Sequence, residues 1–143
     1  MGKFIIQSNM YTYKAKLDRV IDGDTIDANI NLGFDITIHK RIRLTGIDTP
    51  ESRTRDLEEK ARGLASKARL IELLGEGDFI LESREVGKFG RVLGTLYTIS
   101  EESININDKL VEEGYAVEYW GGKKKKKKEI DKPNLNEDVP FGD

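Results

Sequence analysis

Apolar and polar residues alternate along residues 11–45, and turn formers break the alternation twice. In YTYKAKLDRV, Tyr11, Tyr13, Ala15 and Leu17 fall on one face. TIDANINL repeats the period with Ile26, Ala28 and Ile30, and DITIHKRIRL with Ile36, Ile38, Ile42 and Leu44, interrupted at Lys40. A period of two marks a half-buried strand, because successive side chains point to opposite faces. The intervening DGD at 22–24 and Gly33 suit tight reversals. Three strands linked by hairpins are therefore predicted.

The period changes after Pro50. Leu57, Ala61, Leu64, Ala65, Ala68, Ile71 and Leu74 recur at three- and four-residue spacing, which predicts a helix over 57–74 with one apolar face for the core. GEG at 75–77 stops it. DFILES and RVLGTLYTI read as two further strands joined by the glycine-bearing loop REVGKFG, and a second helix covers Ile106–Glu113, ending at Gly114. Three strands, helix, two strands is the order of an OB-type barrel. The predicted fold is thus α+β and mainly β, a five-stranded OB-fold barrel with two or three packed helices. Residues 1–10 form a lead-in, 11–120 the barrel domain, and 121–143 a lysine-rich stretch without periodicity, predicted to be a flexible tail. No internal repeat is visible.

Composition narrows the class. A chain of 143 residues suits one domain with a real core. No apolar run approaches the roughly 20 residues that span a bilayer. The start, MGKFIIQSNM, has too short an apolar run for a secretory signal, and Ile6 stands where a myristoylation pattern needs Ser or Thr. Without cysteine there are no disulfides, thiolate metal sites or cysteine nucleophiles. A cytoplasmic monomer is the expectation. The net charge of -2 is uneven: from Lys123 onward seven lysines face five carboxylates, leaving 17 basic against 21 acidic groups in residues 1–122. An acidic body is unusual for a pure nucleic-acid binder, and less so for an enzyme whose carboxylates hold a cation.

Three stretches carry candidate chemistry. VIDGDT at 20–25 is by itself an Asp-Gly turn. An EF-hand is excluded, since twelve residues from Asp22 place Asp27 at the turn-glycine position and Gly33 at that of the bidentate glutamate. RLTGIDTPES at 43–52 ends a strand, and Thr49-Pro50-Glu51 could cap the following helix. In GKFGRVLG at 87–94, Arg91 opens an apolar strand. Together they supply the carboxylates Asp24, Asp48 and Glu51 and the arginines Arg43 and Arg91. Phosphodiester hydrolysis asks for these groups. Oxygen ligands suit a hard cation, a carboxylate can orient or deprotonate water, and guanidiniums bind phosphate oxygens in pairs.

VIDGDT, RLTGIDTPE, GKFGR followed by LGTLY, and INDKLVEEGYA occur in the order and with the spacing of the staphylococcal nuclease (thermonuclease) family, which the chain resembles over roughly residues 11–120. The resemblance implies an OB-fold barrel and a calcium-dependent nuclease acting on DNA and RNA, leaving 5′-hydroxyl and 3′-phosphate ends. It implies Asp24 and Asp48 as side-chain ligands of the ion, Thr49 as a ligand through its carbonyl, and Asp22 as a nearby carboxylate. By the same resemblance Glu51 is the general base or positions the attacking water. Arg43 and Arg91 bind phosphate, and Lys88 lies near the substrate's phosphate end. Oxygen ligands alone serve magnesium or manganese as well as calcium. The chain departs from the family pattern at Phe89, where the best-known member has tyrosine. It departs again at Tyr119-Trp120, whose spacing is close to that of the base-stacking tyrosines without clearly matching it, and from Gly121 onward, which does not resemble the last helix. Tyr119 or Trp120 is expected to stack on a base.

His39 alternates with Arg41 and Arg43 and reads as a surface strand residue. The run Lys123–Lys128 is either a solvated tail or a non-specific phosphate-binding arm. The alternative to the nuclease is an OB-fold nucleic-acid-binding module without catalysis. A purely structural domain would explain neither the carboxylates nor the arginines.

Overall fold

The computed structural model describes residues 11–86 and 90–120. In chain order the elements are β1 (Tyr11–Asp22), β2 (Thr25–Gly33), β3 (Ile36–Leu44), β4 (Ile47–Asp48), α1 (Leu57–Leu74), β5 (Asp78–Val86), β6 (Val92–Thr98), α2 (Ile106–Glu112) and β7 (Val117–Glu118). The five long strands close into a mixed barrel in the order β1-β2-β3-β6-β5, with β5 returning to β1. All pairings are antiparallel except β3 with β6. The two-residue strands β4 and β7 pair with each other outside the barrel. This is the predicted five-stranded barrel with two helices.

The strand periodicity places the core as expected. Ala15, Ile26, Ala28, Ile30, Ile42 and Leu44 are buried from the first three strands, and Phe79, Leu81, Val92 and Leu96 from the last two. A register shift between Leu17 and Arg19 lets Val20 point inward after Leu17. Tyr11 and Ile36, expected on the inner face, are exposed at strand ends. The second reversal falls on Phe34–Asp35 and not on Gly33 alone. Both residues adopt positive φ, 57° and 64°, the geometry of a type I′ hairpin turn.

Helix α1 corrects the sequence reading. Its start is capped by Asp56, whose carboxylate accepts from the backbone N–H groups of Glu58 and Glu59. Thr49-Pro50-Glu51 therefore does not cap it. Its buried stripe is Gly63, Ser66, Leu70 and Leu74. Of the predicted apolar face only Leu74 is buried; Leu57, Ala61, Leu64, Ala65, Ala68 and Ile71 are exposed. Small residues win the inner face because the helix lies tightly against two loops. A Cβ on Gly63 would run into the Glu51 carbonyl, and one on Gly23 would come within 2.7 Å of Ser66 Cβ. Arg69 holds α1 to α2 through a bidentate pair with Glu113 at 2.6 and 2.9 Å, and this keeps the Glu113 carboxyl below its ordinary value.

Candidate active site

The barrel register builds the site from two turns. Thr25 lies opposite Arg43, and Leu44 N–H donates to the Asp24 carbonyl at 2.8 Å, so the Gly23–Asp24 turn abuts the end of β3. Arg43 then folds back over its own loop, Nη1 donating to the Leu44 and Ile47 carbonyls at 3.0 and 2.9 Å. The same guanidinium lies 3.4 Å from Asp24 Oδ2 and 3.4 Å from Asp48 Oδ1. Asp24 also accepts from Thr49 N–H at 3.0 Å and from Thr25 Oγ1 at 2.9 Å. Asp24, Asp48 and Thr49 are all buried.

Two carboxylates thus converge on one cation in a place poor in water. Carboxylates gathered this closely can share a hard cation that takes oxygen ligands. No group of three or more acidic or histidine side chains gathers for a metal among the described residues. Asp24 and Asp48 would therefore supply two carboxylates, with carbonyl and water oxygen completing the shell. Thr49 Oγ1 is buried without a hydrogen-bond partner among the described residues.

Arg91 directly precedes β6. Because Ile42 pairs with Val92 and Arg43 with Leu93, the strand alternation places Arg91 and Arg43 on the same outer face of neighbouring strands. Arg91 Nε is buried and has no partner among the described residues. An orphaned guanidinium donor of this kind is suited to an anion. Glu51 is exposed two residues past Thr49, and its N–H donates to Glu59 Oε2 of α1 at 3.1 Å. Asp22 accepts a short hydrogen bond from Ser52 Oγ, tying the β1–β2 turn to the segment that carries Glu51. Ser52, Glu59 and Gly63 were not singled out from the sequence. Only the adjacency of Ser52 to TPE hinted at its part.

The remaining candidates lie elsewhere. Tyr119 N–H donates to the Gly46 carbonyl at 2.8 Å, continuing the β4–β7 pairing. The Trp120 indole lies over Gly46, where φ is 81° and no Cβ stands in its way. It borders a cavity of about 480 Å³ whose wall carries Asp108, Glu112 and Glu118. That wall is acidic and includes none of Asp24, Arg43 and Asp48. His39 is exposed, with Nε2 3.0 Å from Asp18, as expected of a surface strand residue. Lys88, Phe89 and the Lys123–Lys128 run lie outside the described residues.

The family model described as staphylococcal nuclease homologue matches residues 41–137, more than half of the chain. The chain belongs to the staphylococcal nuclease family. The micrococcal nuclease of Shigella flexneri is 33% identical over 117 residues, which cover 76% of this chain and 61% of that protein. Endonuclease YhcR of Bacillus subtilis (strain 168) is 34% identical over 116 residues, covering 76% of this chain and 9% of that much longer protein. The chain thus spans less than two thirds of the length of these curated relatives. The matched stretch holds Arg43, Asp48, Glu51 and Arg91 but begins after Asp24. In this staphylococcal nuclease homologue Asp24 joins the cluster through the barrel register.

Proposed function

We propose that this staphylococcal nuclease homologue is a metal-dependent nuclease that hydrolyses phosphodiester bonds in DNA and RNA with little sequence preference. The observation that carries the reading is the convergence of Asp24 and Asp48 on Arg43, with the orphaned Nε of Arg91 at the start of the neighbouring strand. Nuclease names among its relatives support it. Asp24, Asp48 and the Thr49 carbonyl would hold the ion, calcium in the first place, with magnesium or manganese served by the same donors. Bound there, such an ion polarises a phosphoryl oxygen and lowers the pKa of its water.

The chain's own groups supply the rest. Arg43 and Arg91, on neighbouring strands, grip the phosphate and stabilise charge growing on its oxygens. Glu51 orients the attacking water or accepts its proton. Asp22, through Ser52, and Gly63, through close approach of α1, position the backbone from which Glu51 projects. Attack opposite the 5′ oxygen forms the water–phosphorus bond and breaks the P–O5′ bond; the water gives up a proton to Glu51 or solvent and O5′ takes one from solvent, which leaves 5′-hydroxyl and 3′-phosphate ends. Tyr119, Trp120 and Lys88 are the proposed contacts to the rest of the nucleotide.

The test is cleavage of plasmid DNA and single-stranded RNA in calcium, in magnesium and in EDTA, with Glu51→Gln alongside. Metal-dependent degradation, stopped by EDTA and lowered at least about 100-fold in the variant, is the expected result. Salt-sensitive binding without cleavage under any metal would instead make the chain a non-catalytic binding module.

A further inference from the structure

The outer face of α1 belongs to no interaction described so far. Leu57, Leu64 and Ile71 are 77%, 46% and 47% exposed, and Ala61 and Ala68 lie exposed between them. These five residues follow one another at steps of four, three, four and three. A strict alternation of four and three is the a/d seam of a two-helix coiled coil, whereas a helix that packs on a barrel shows a broader stripe. The barrel does not need this face, since Gly63, Ser66, Leu70 and Leu74 already fill the inner one. A cover with matching spacing must itself be helical.

The charges bordering the seam identify that cover. With Leu57, Leu64 and Ile71 at d and Ala61 and Ala68 at a, Lys60 and Lys67 take the g positions, and Glu58, Ala65 and Glu72 take e. One flank is therefore basic and the other acidic. Neither lysine makes an ion pair among the described residues, while Glu72 reaches only Arg69 on its own helix, at 3.0 Å. In a parallel pair of identical helices the g flank of one faces the e flank of the other, so Lys67 meets Glu72 twice. In an antiparallel pair g meets g and e meets e, which sets Lys60 against Lys67 and Glu58 against Glu72. We infer that α1 is a self-association surface through which two copies of the chain pair by a parallel helix–helix contact along Leu57, Ala61, Leu64, Ala68 and Ile71.

Only three large side chains per copy enter the seam, so the contact is smaller than a standard interface and the dimer is weak and concentration-dependent. The alanines at a permit close approach of the two backbones. A parallel pairing also places both Glu51 segments, which precede α1, at the same end of the dimer. The pairing stands against the expectation of a monomer and does not depend on the nuclease reading.

The full chain is tested by sedimentation velocity from low micromolar to several hundred micromolar. Association is expected, weakened at least about tenfold by Leu64→Lys, with an unchanged circular dichroism spectrum and melting temperature, because that side chain leaves no core contact. Lys67→Glu weakens it as well, and Lys67→Glu combined with Glu72→Lys restores it. Since the chain has no cysteine, orientation is read directly. Leu57→Cys oxidises to a disulfide-linked dimer in the parallel arrangement. A monomer at every concentration, association that Leu64→Lys does not touch, or crosslinking only between Leu57→Cys and Ile71→Cys chains would each overturn the inference.

Discussion

Arg43 does more in the fold than its place in the sequence suggests. Its place beside Asp48 in RLTGID pointed to a phosphate contact. The structure adds that the guanidinium also closes its own turn through the Leu44 and Ile47 carbonyls. Lysine keeps the charge but cannot serve two carbonyls and two carboxylates from a planar fork. Arg43→Lys is therefore expected to lower kcat on the order of 100-fold and to cost about 1 kcal/mol of stability, measured by steady-state cleavage and urea unfolding. Asp27 was passed over because DGDTID draws attention to its first two carboxylates. Yet it is buried under Arg41 and Arg19, with Arg41 contributing hydrogen bonds at 2.7 and 3.1 Å and Arg19 one at 3.2 Å. Arg41 above all holds its pKa down at about 2. Because the folded value lies below that of the unfolded chain, the contribution is complete above the ordinary carboxylate range near pH 4. It fades as pH falls toward 2. Asp27→Asn should thus cost about 1 kcal/mol at pH 7 and less at pH 3, and an equal loss at both would assign the cost to packing.

At the scale of elements, the strands were legible because a period of two leaves little choice about which face is inward. The helix was legible as a helix and misread in its orientation. Apolar residues were assigned to the core, but the inner face is chosen by how closely α1 must approach the Gly23 turn and the Glu51–Ser52 segment. That approach requires Gly63 and Ser66, which score as weakly hydrophobic or polar. Gly63 lies on a helix, where alanine is intrinsically the better residue, so Gly63→Ala would stabilise an isolated helix. Here the added methyl meets the Glu51 carbonyl and the Ser52 N–H, neither of which is a flexible side-chain end. The expected outcome is a loss of about 1–3 kcal/mol together with reduced kcat at unchanged metal affinity, since the displaced segment carries Glu51 and not the carboxylate pair. A variant with raised stability and full activity would show that α1 moves outward freely.

Across the whole molecule, the elements the sequence could not reveal are those made by distant partners. Two-residue strands such as β4 and β7 have no periodicity to detect, and Asn107 looks like one more polar residue in a helix. In the fold its amide accepts from Leu96 N–H at 3.1 Å and donates to the Thr45 and Gly94 carbonyls at 2.9 and 3.2 Å, joining α2 to both β6 and the loop after β3. The candidate site draws its residues in the same way, from the β1–β2 turn, the β3–β4 loop and the start of β6. A ligand that bridges these parts should therefore report in global stability. With the ion at about 100 times its Kd, binding to the folded state alone adds about 2.7 kcal/mol. For a folded unit of this size that raises Tm on the order of 10 °C. Asp24→Asn and Asp48→Asn should largely abolish the calcium-dependent shift, because each removes one of the two converging carboxylates. Glu51→Gln should retain it while losing turnover, since Glu51 is exposed beyond the buried pair. Equal loss of the shift in all three variants would place Glu51 among the ligands and leave water activation to another group. A shift that survives in both aspartate variants would move the ion away from this cluster altogether.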